Sequence, residues 1–320
     1  MKILIIRFSS IGDIVLTTPV LRCIKEQIKD VELHFITKQK FISVIENNPY
    51  VDKFFTIGES LSEVTSRLKH ENYDYIIDLH HNFRTFRLKS VLGKKSVSFN
   101  KLNWEKMLMV NFKINSLPSQ HIVDRYIETV KTLGVVNDQK GLDHFISEKD
   151  AIDIHSFLPI PFHPGYHVLV AGGSYYTKRI PINKLMEICE KSAWPLVLLG
   201  GPEDSSTAEE VHKAFPDKTI NLCGKISLNQ SASIIKQSQK VITSDTGLMH
   251  IAAAYKKDII SVWGNTIPEF GMGPYLAGKN SQILEVKGLS CRPCSKLGYK
   301  KCPKGHFKCM NDMDFSKVIF

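Results

Sequence analysis

Long hydrophobic runs are missing from this chain. No apolar stretch approaches the ~20 residues that a bilayer-spanning helix needs, and the first one, Ile3-Leu4-Ile5-Ile6, has the length of a strand. A long apolar leader with a small-residue cleavage site is missing too, so no secretory signal is expected. Cysteine is sparse: seven in 320 residues do not make a disulfide scaffold, and the expected compartment is the reducing cytosol. Several motifs are also absent: Gly-x-x-x-x-Gly-Lys-Ser/Thr, Gly-x-Gly-x-x-Gly after a strand, His-Glu-x-x-His and Gly-x-Ser-x-Gly. Their absence weighs against P-loop NTPases, ordinary dehydrogenases, zincins and α/β-hydrolases.

What remains is ordinary globular material. Hydrophobic content of 43% and charged content of 23% exclude a disordered, collagen-like or coiled-coil chain. A length of 320 residues is about twice that of a common single domain, so two domains are expected. The excess of base over acid, 42 Lys and Arg against 32 Asp and Glu, suits an anionic partner such as nucleic acid, a phosphorylated substrate or a membrane surface. A solvated surface with a soluble net charge would account for it as well. The excess is local: Arg84–Lys113 holds eight basic residues and one acid, and Lys287–Lys308 holds seven and none.

Strands are predicted at Ile3–Ile6, Leu33–Thr37, Lys53–Ile57, Tyr75–Leu79 and Val97–Phe99, alternating at first with helical segments. Leu16, Val20, Ile24 and Ile28 form a stripe spaced by four, as on a helix face. Pro19 within it demands either a kink or a fresh helix start capped by Thr18. The pattern restarts at about residue 165, with strands at Val168–Val170, Leu196–Leu199, Val241–Thr243 and Ile259–Val262 and helices at Asn183–Ser192, Thr207–Phe215 and Leu228–Ser238. The segment Leu158–Gly165, with three prolines and a glycine, reads as the linker. The expected class is α/β: two open parallel sheets, residues 1–160 and 161–320, facing across a cleft. In such sheets ligands bind beyond the carboxyl ends of the strands.

Four turns at those ends carry chemistry. Ser244-Asp-Thr-Gly-Leu-Met-His250 delivers a carboxylate, a hydroxyl and a glycine to a helix start, where exposed N–H groups bind phosphate oxygens. His250 lies one turn in, within reach of the same anion. The bland reading has Asp245 capping that helix and His250 packed in it. Gly172-Gly-Ser174 leads to Lys178 and Arg179, cations suited to a departing diphosphate or merely to a surface. Gly200-Gly-Pro-Glu-Asp204 offers carboxylates to sugar hydroxyls or to a helix start. Ser9-Ser-Ile-Gly-Asp13 places a carboxylate that would serve as general base or as a helix cap.

Taken in order, Lys2-Ile-Leu-Ile-Ile-Arg-Phe-Ser-Ser-Ile-Gly-Asp-Ile-Val-Leu-Thr-Thr-Pro19, Tyr73-Asp-Tyr-Ile-Ile-Asp-Leu-His80, Gly172-Gly-Ser174 with Lys178, Leu199-Gly-Gly-Pro-Glu-Asp204 and Ser244–His250 resemble glycosyltransferase family 9, the ADP-heptose:lipopolysaccharide heptosyltransferases. The resemblance spans nearly the whole chain. It implies a GT-B fold of two Rossmann-like domains, residues 1–160 for the acceptor and 161–320 for the nucleotide-sugar. It also implies inverting heptose transfer from ADP-heptose with no metal and no other cofactor. Asp13 matches the position of the family's catalytic base, and Lys178 would stabilise the leaving diphosphate. Ser174, Lys178, Asp204, Asp245, Thr246, Gly247 and His250 match donor-binding positions, although Asp204 stands where the family commonly has a longer acid. Ser10, Gly12 and Arg84 are candidate acceptor contacts. The acceptor would be lipopolysaccharide core or another lipid-linked sugar. The expected place is the cytoplasm, with peripheral contact at the inner membrane through Arg84–Lys113 and its Trp104, Met107, Leu108 and Met109. No nucleic-acid partner is expected. The alternatives are a family relative using another nucleotide-sugar, a nucleotide-sugar epimerase, or a zinc-bearing nucleic-acid-binding protein.

The last alternative comes from the basic tail at about 288–310. Cys291 and Cys294 have the spacing of a metal knuckle, and Cys302 and Cys309 follow with His306 between them. Six residues between the second pair is a loose spacing. Free thiols in an irregular tail are therefore expected, with structural zinc on Cys291, Cys294, Cys302 and Cys309 as the other reading.

Overall fold

A computed structural model describes every residue except Glu59, Lys317, Ile319 and Phe320. The chain forms two compact units, one of Met1–Lys101 with Gln120–Phe145, the other of Leu102–Ser119 with Ile146–Phe320. The chain therefore passes between units three times, and a single cut at residue 160 does not describe it. Leu158–Gly165 is folded into the second unit, with Leu158 and Phe162 buried. Proline and glycine mark irregular backbone, which can be as well packed as a helix.

In the first unit, strands Lys2–Ile6 (β1), Glu32–Lys38 (β2), Lys53–Ile57 (β3), Tyr75–Asp78 (β4) and Ser96–Ser98 (β5) form a parallel sheet in the order β3-β2-β1-β4-β5. Ile3, Leu4, Ile5 and Ile6 are fully buried, as an unbroken apolar run in a parallel sheet requires. Pro19 resolves as a fresh start: Ile11–Val15 (α1) ends and Thr18–Gln27 (α2) begins, with Thr17 at the cap position and the proline in the first turn. Ser62–His70 (α3) and Phe83–Leu92 (α4) follow. Asn103–Phe112 (α5) belongs to the second unit, and Ile122–Glu128 (α6) returns to the first.

The second unit adds Ile154–Phe157 (α7), Ile182–Lys191 (α8), Ser205–Ala214 (α9), Leu228–Gln237 (α10), Gly247–Ala254 (α11) and Lys308–Asn311 (α12). Its sheet joins His167–Val170 (β6), Leu196–Leu199 (β7), Thr219–Asn221 (β8), Lys240–Ser244 (β9), Asp258–Trp263 (β10) and Gln282–Glu285 (β11) in the parallel order β11-β10-β9-β6-β7-β8. Both sheets reverse strand order beside their first strand, between β1 and β4 and between β6 and β9. That is the Rossmann switch point, where the strand ends leave a crevice for a ligand. The two Rossmann-like units of the expected GT-B fold are thus both present.

One buried cation ties α2 to the loop after it in space. The Arg22 guanidinium, 3% exposed, donates to both Asp138 oxygens at 2.7 and 2.9 Å, to the Gly141 carbonyl at 2.7 Å and to Asp143. These bonds hold the Asp138 carboxyl down at about 2. A folded-state value below the ordinary one means that the pair stabilises fully above about pH 4 and fades as pH falls toward 2. We expect Arg22→Ala to cost about 3–5 kcal/mol in urea unfolding, because two carboxylates lose their buried partner. It should also flatten the acid limb of stability. An unchanged urea midpoint would show that the pair does not staple the unit.

Candidate active site

Each switch point gathers a charged group onto a short turn, and each is described within its own unit. In the first unit, Asp13 lies in the first turn of α1. Its Oδ2 accepts from the Ser10 amide at 3.1 Å and the Ser10 hydroxyl at 2.7 Å, and its Oδ1 is 2.6 Å from an Arg7 nitrogen. Asp13 thus closes the first turn of its helix while its second oxygen lies on a cation. Arg7 is itself buried and donates to the Ser9 carbonyl (2.8 Å), to the Tyr126 hydroxyl (2.9 Å) and to the Leu79 carbonyl. One guanidinium therefore fixes the end of β1, the end of β4 and α6 around the carboxylate. Gly12 is buried, whereas Ser10 and Arg84 are exposed.

Beside this pair, the end of β4 carries Asp78 and His80. Asp78 is fully buried and accepts from the amides of His80 (3.0 Å) and His81 (2.7 Å), with the Lys89 ammonium at 3.0 Å. The His80 ring packs on Phe8, 5.1 Å between centroids, with Nδ1 buried and without a hydrogen-bond partner. Burial, with the nearby Arg7 and Lys101 charges, pushes its imidazole down to about 4.

In the second unit, the turns after β6 and β9 meet. The Lys178 ammonium is 2.6 Å from Asp245 Oδ2, and the Thr266 hydroxyl, from the turn after β10, donates to the same oxygen at 3.1 Å. Thr246 caps α11 with extended backbone, its hydroxyl 3.1 Å from that of Thr243, and Gly247 opens the helix. Asp245, Thr246 and Gly247 are half-buried, Ser174 is exposed, and His250 is buried within α11. Asp245 is therefore the partner of Lys178, not the cap of α11.

Asp204 is placed differently from a carboxylate awaiting sugar hydroxyls. It is 3% exposed, accepts from the Gly201 amide at 2.9 Å and lies 3.5 Å from Arg179. It also explains a glycine, since a Cβ on Gly172 would stand 2.0 Å from its Oδ2. Asp204 braces the turns after β6 and β7 against each other, and burial raises its carboxyl above the ordinary range.

Arg7 and His80 lie inside the sequence motifs with no role legible there, and Thr266 lies outside them. Arg7 finds its partners at positions 13, 79 and 126, so no local spacing reports them. His80 is expected to stay neutral between pH 6 and 8. Its ring-proton NMR shift should be flat there and move only as pH falls toward about 4. A midpoint near the ordinary 6.5 would mean that the ring is solvated.

Residues 62–303 match the family model described as glycosyltransferase family 9 (heptosyltransferase). Among curated proteins, lipopolysaccharide heptosyltransferase 1 of Campylobacter coli is 26% identical over 289 residues, 83% of this chain and 84% of the relative. Lipooligosaccharide heptosyltransferase 2 of Campylobacter jejuni is also 26% identical, over 333 residues, covering 100% of this chain and 96% of the relative. Among solved structures, ADP-heptose LPS heptosyltransferase II of E. coli superposes with a TM-score of 0.70 at 18% identity, covering 98% of both chains.

Proposed function

Because this chain belongs to glycosyltransferase family 9 (heptosyltransferase), we propose that it moves heptose from ADP-heptose to a lipopolysaccharide core acceptor, inverting the anomeric carbon without a metal at the diphosphate. The observation that carries the reading is the Lys178–Asp245 pair at the switch point of the second unit, beside the start of α11. In the free protein Asp245 balances the ammonium. A bound diphosphate would take over that charge, with the amides at Thr246 and Gly247 donating to its oxygens. The curated relatives are named for lipopolysaccharide and lipooligosaccharide heptose transfer, and the E. coli structure for ADP-heptose, which supports the donor and the acceptor class.

The proposed chemistry needs a base and a cation. Asp13 takes the proton from the acceptor hydroxyl as its oxygen bonds to the anomeric carbon. On the opposite face of that carbon the bond to the diphosphate oxygen breaks. ADP leaves with the electron pair, and its new charge falls on Lys178. Arg7 holds Asp13 in one orientation, so the base need not be recruited at the moment of reaction. Neutral His80 keeps a second positive charge away from the acceptor side.

Calorimetry and turnover on three proteins test this. The parent should bind ADP in preference to UDP, GDP, TDP and CMP. Lys178→Ala should weaken ADP about ten- to hundredfold, the worth of a charged hydrogen bond. Asp13→Asn should keep ADP affinity and lose turnover by at least about a hundredfold. Near-normal turnover in Asp13→Asn would remove it as the base, and selective binding of another nucleotide would displace ADP-heptose.

We also propose peripheral contact with an anionic membrane. No helix among the described residues is long and apolar enough to cross one. On α4, Phe83 and Phe86 are exposed beside exposed Arg84 and Arg87, and α5 buries no residue and exposes Trp104 and Phe112. Aromatic rings flanked by basic residues suit an anionic headgroup layer. Phosphatidylglycerol vesicles should sediment the protein at low salt and release it at high salt. Failure to sediment at low salt would end the proposal.

A further inference from the structure

The cysteine tail has irregular backbone, as expected, but its end is not surface. Phe307, Cys309, Met310, Met313 and Phe315 are buried in the apolar core of the second unit, together with β6, β7, β9 and β10. Ahead of them, Cys291, Cys294, Cys302, His306 and Cys309 line a single small cavity of about 20 Å³. That is room for one water-sized occupant. Cys291 Sγ lies 3.8 Å from His306 Nε2. Two ligands of one tetrahedral zinc, at ~2.3 and ~2.05 Å, stand about 3.6 Å apart. Cys294, Cys302 and Cys309 face the same cavity from the other sides of its wall.

A second, independent observation lies in the same wall. Asn265 is 1% exposed and lines the cavity, and neither its amide nitrogen nor its amide oxygen has a hydrogen-bond partner. A buried amide left so is costly. A neutral thiol is a weak acceptor, whereas a metal-bound thiolate accepts well from a neighbouring N–H. From this cluster we infer that Cys291, Cys294, Cys302 and Cys309, with His306 as the exchangeable neighbour of Cys291, form a structural site for one thiophilic divalent cation of the zinc type. Each thiol that ligates releases its proton to solvent.

A different trio is more tightly gathered. Ligand atoms of Glu32, His34 and Glu71 lie within 4.8 Å of one another, the only such group among the described residues. Two lysines already neutralise it, Lys2 at 3.0 Å from Glu71 and Lys53 against its other oxygen, so it is an ion-pair network. The thiols stand wider than that, and ligation would require their side chains to turn into the cavity they line.

The site would also act on the donor turns, a consequence that rests on the reading above, although the ion's presence does not. Arg292, between the first two cysteines, donates to the carbonyls of Gly264 (2.7 Å) and Thr266 (3.0 Å). The Cys294 amide donates to the Asn265 carbonyl at 3.2 Å. The Tyr299 amide donates to the Thr177 hydroxyl at 2.8 Å, and the Thr177 amide returns a bond to the Tyr299 carbonyl at 3.2 Å. The segment between the cysteines therefore clamps both the turn that carries Lys178 and the turn that carries Thr266.

The test uses the full chain. Metal content measured as purified should approach about one zinc or iron per chain. After chelation, titration with Co²⁺ should produce the sulfur-to-cobalt charge-transfer band and tetrahedral d–d bands. Cys291→Ser and Cys302→Ser, at half-buried positions, should each weaken Co²⁺ by at least about tenfold. Chelation should lower Tm and weaken ADP binding, both restored by Zn²⁺. A parent protein that gives no thiolate–cobalt spectrum overturns the site, as does a spectrum unchanged in both variants. The cobalt readout needs no nucleotide, so its failure and that of the transferase reading are separable.

Discussion

A largely buried ammonium needs a counter-charge close by. Lys178, 16% exposed, finds it in Asp245, 2.6 Å away on the turn of another strand. Several turns of the second unit bond to this pair or to its neighbours. Thr266 steadies the carboxylate from the turn after β10, Thr177 anchors the lysine's turn to Tyr299, and Arg179 links it to Gly173 and Asp204. A partly buried pair of this kind gains little for stability once desolvation is counted. Under the proposed transfer its value would lie in exchange, because an incoming anion would replace Asp245 without leaving the ammonium bare.

The first unit solves the complementary problem of keeping a carboxylate in one place. Arg7 is buried, and such a charge is tolerable only when paired and hydrogen-bonded. It donates to Ser9, Leu79 and Tyr126 and is paired with Asp13. Arg7 is thus committed to Asp13 and to scaffold bonds, and burial disfavours the charged form of the His80 imidazole. Both units place their chemistry at the strand-order reversal for the same reason: a parallel sheet covered by helices exposes ligand-ready backbone only at its carboxyl ends.

Much of this was legible in the sequence, and the parts that were not share a cause. Apolar runs such as Ile3–Ile6 and Leu196–Leu199 announce buried strands, and the turns that follow announce themselves by glycine and hydroxyl residues. Thr219–Asn221 and Gln282–Glu285 escaped because edge strands are short and carry polar residues, here Asn221 and Gln282. Helix α5 escaped because none of its residues is buried, so no apolar stripe marks it. Its membership of the second unit rests on contacts such as Lys113 with the Pro293 carbonyl, 180 positions away, which periodicity cannot report. Asp13, Lys178 and Asp245 were recognisable from local motifs. Arg7 owes its scaffold role to Leu79 and Tyr126, and Asp204 its bracing role to Gly172 and Arg179, all remote in sequence.

The tail shows the same limit from the other side. Six residues between Cys302 and Cys309 are a loose spacing for a metal knuckle, and spacing is all that a sequence offers. In the folded chain that interval is taken up by Pro303, Gly305 and the turn into α12, and Phe307 and Met310 enter the core on either side of Cys309. Core packing, not sequence distance, therefore brings Cys309 to the cavity wall. Once it is there, four thiols line a water-sized space beside the buried Asn265 amide, which has no hydrogen-bond partner. A bound cation would satisfy both at once, and it would do so beside the two turns that must hold Lys178 and Thr266 in register.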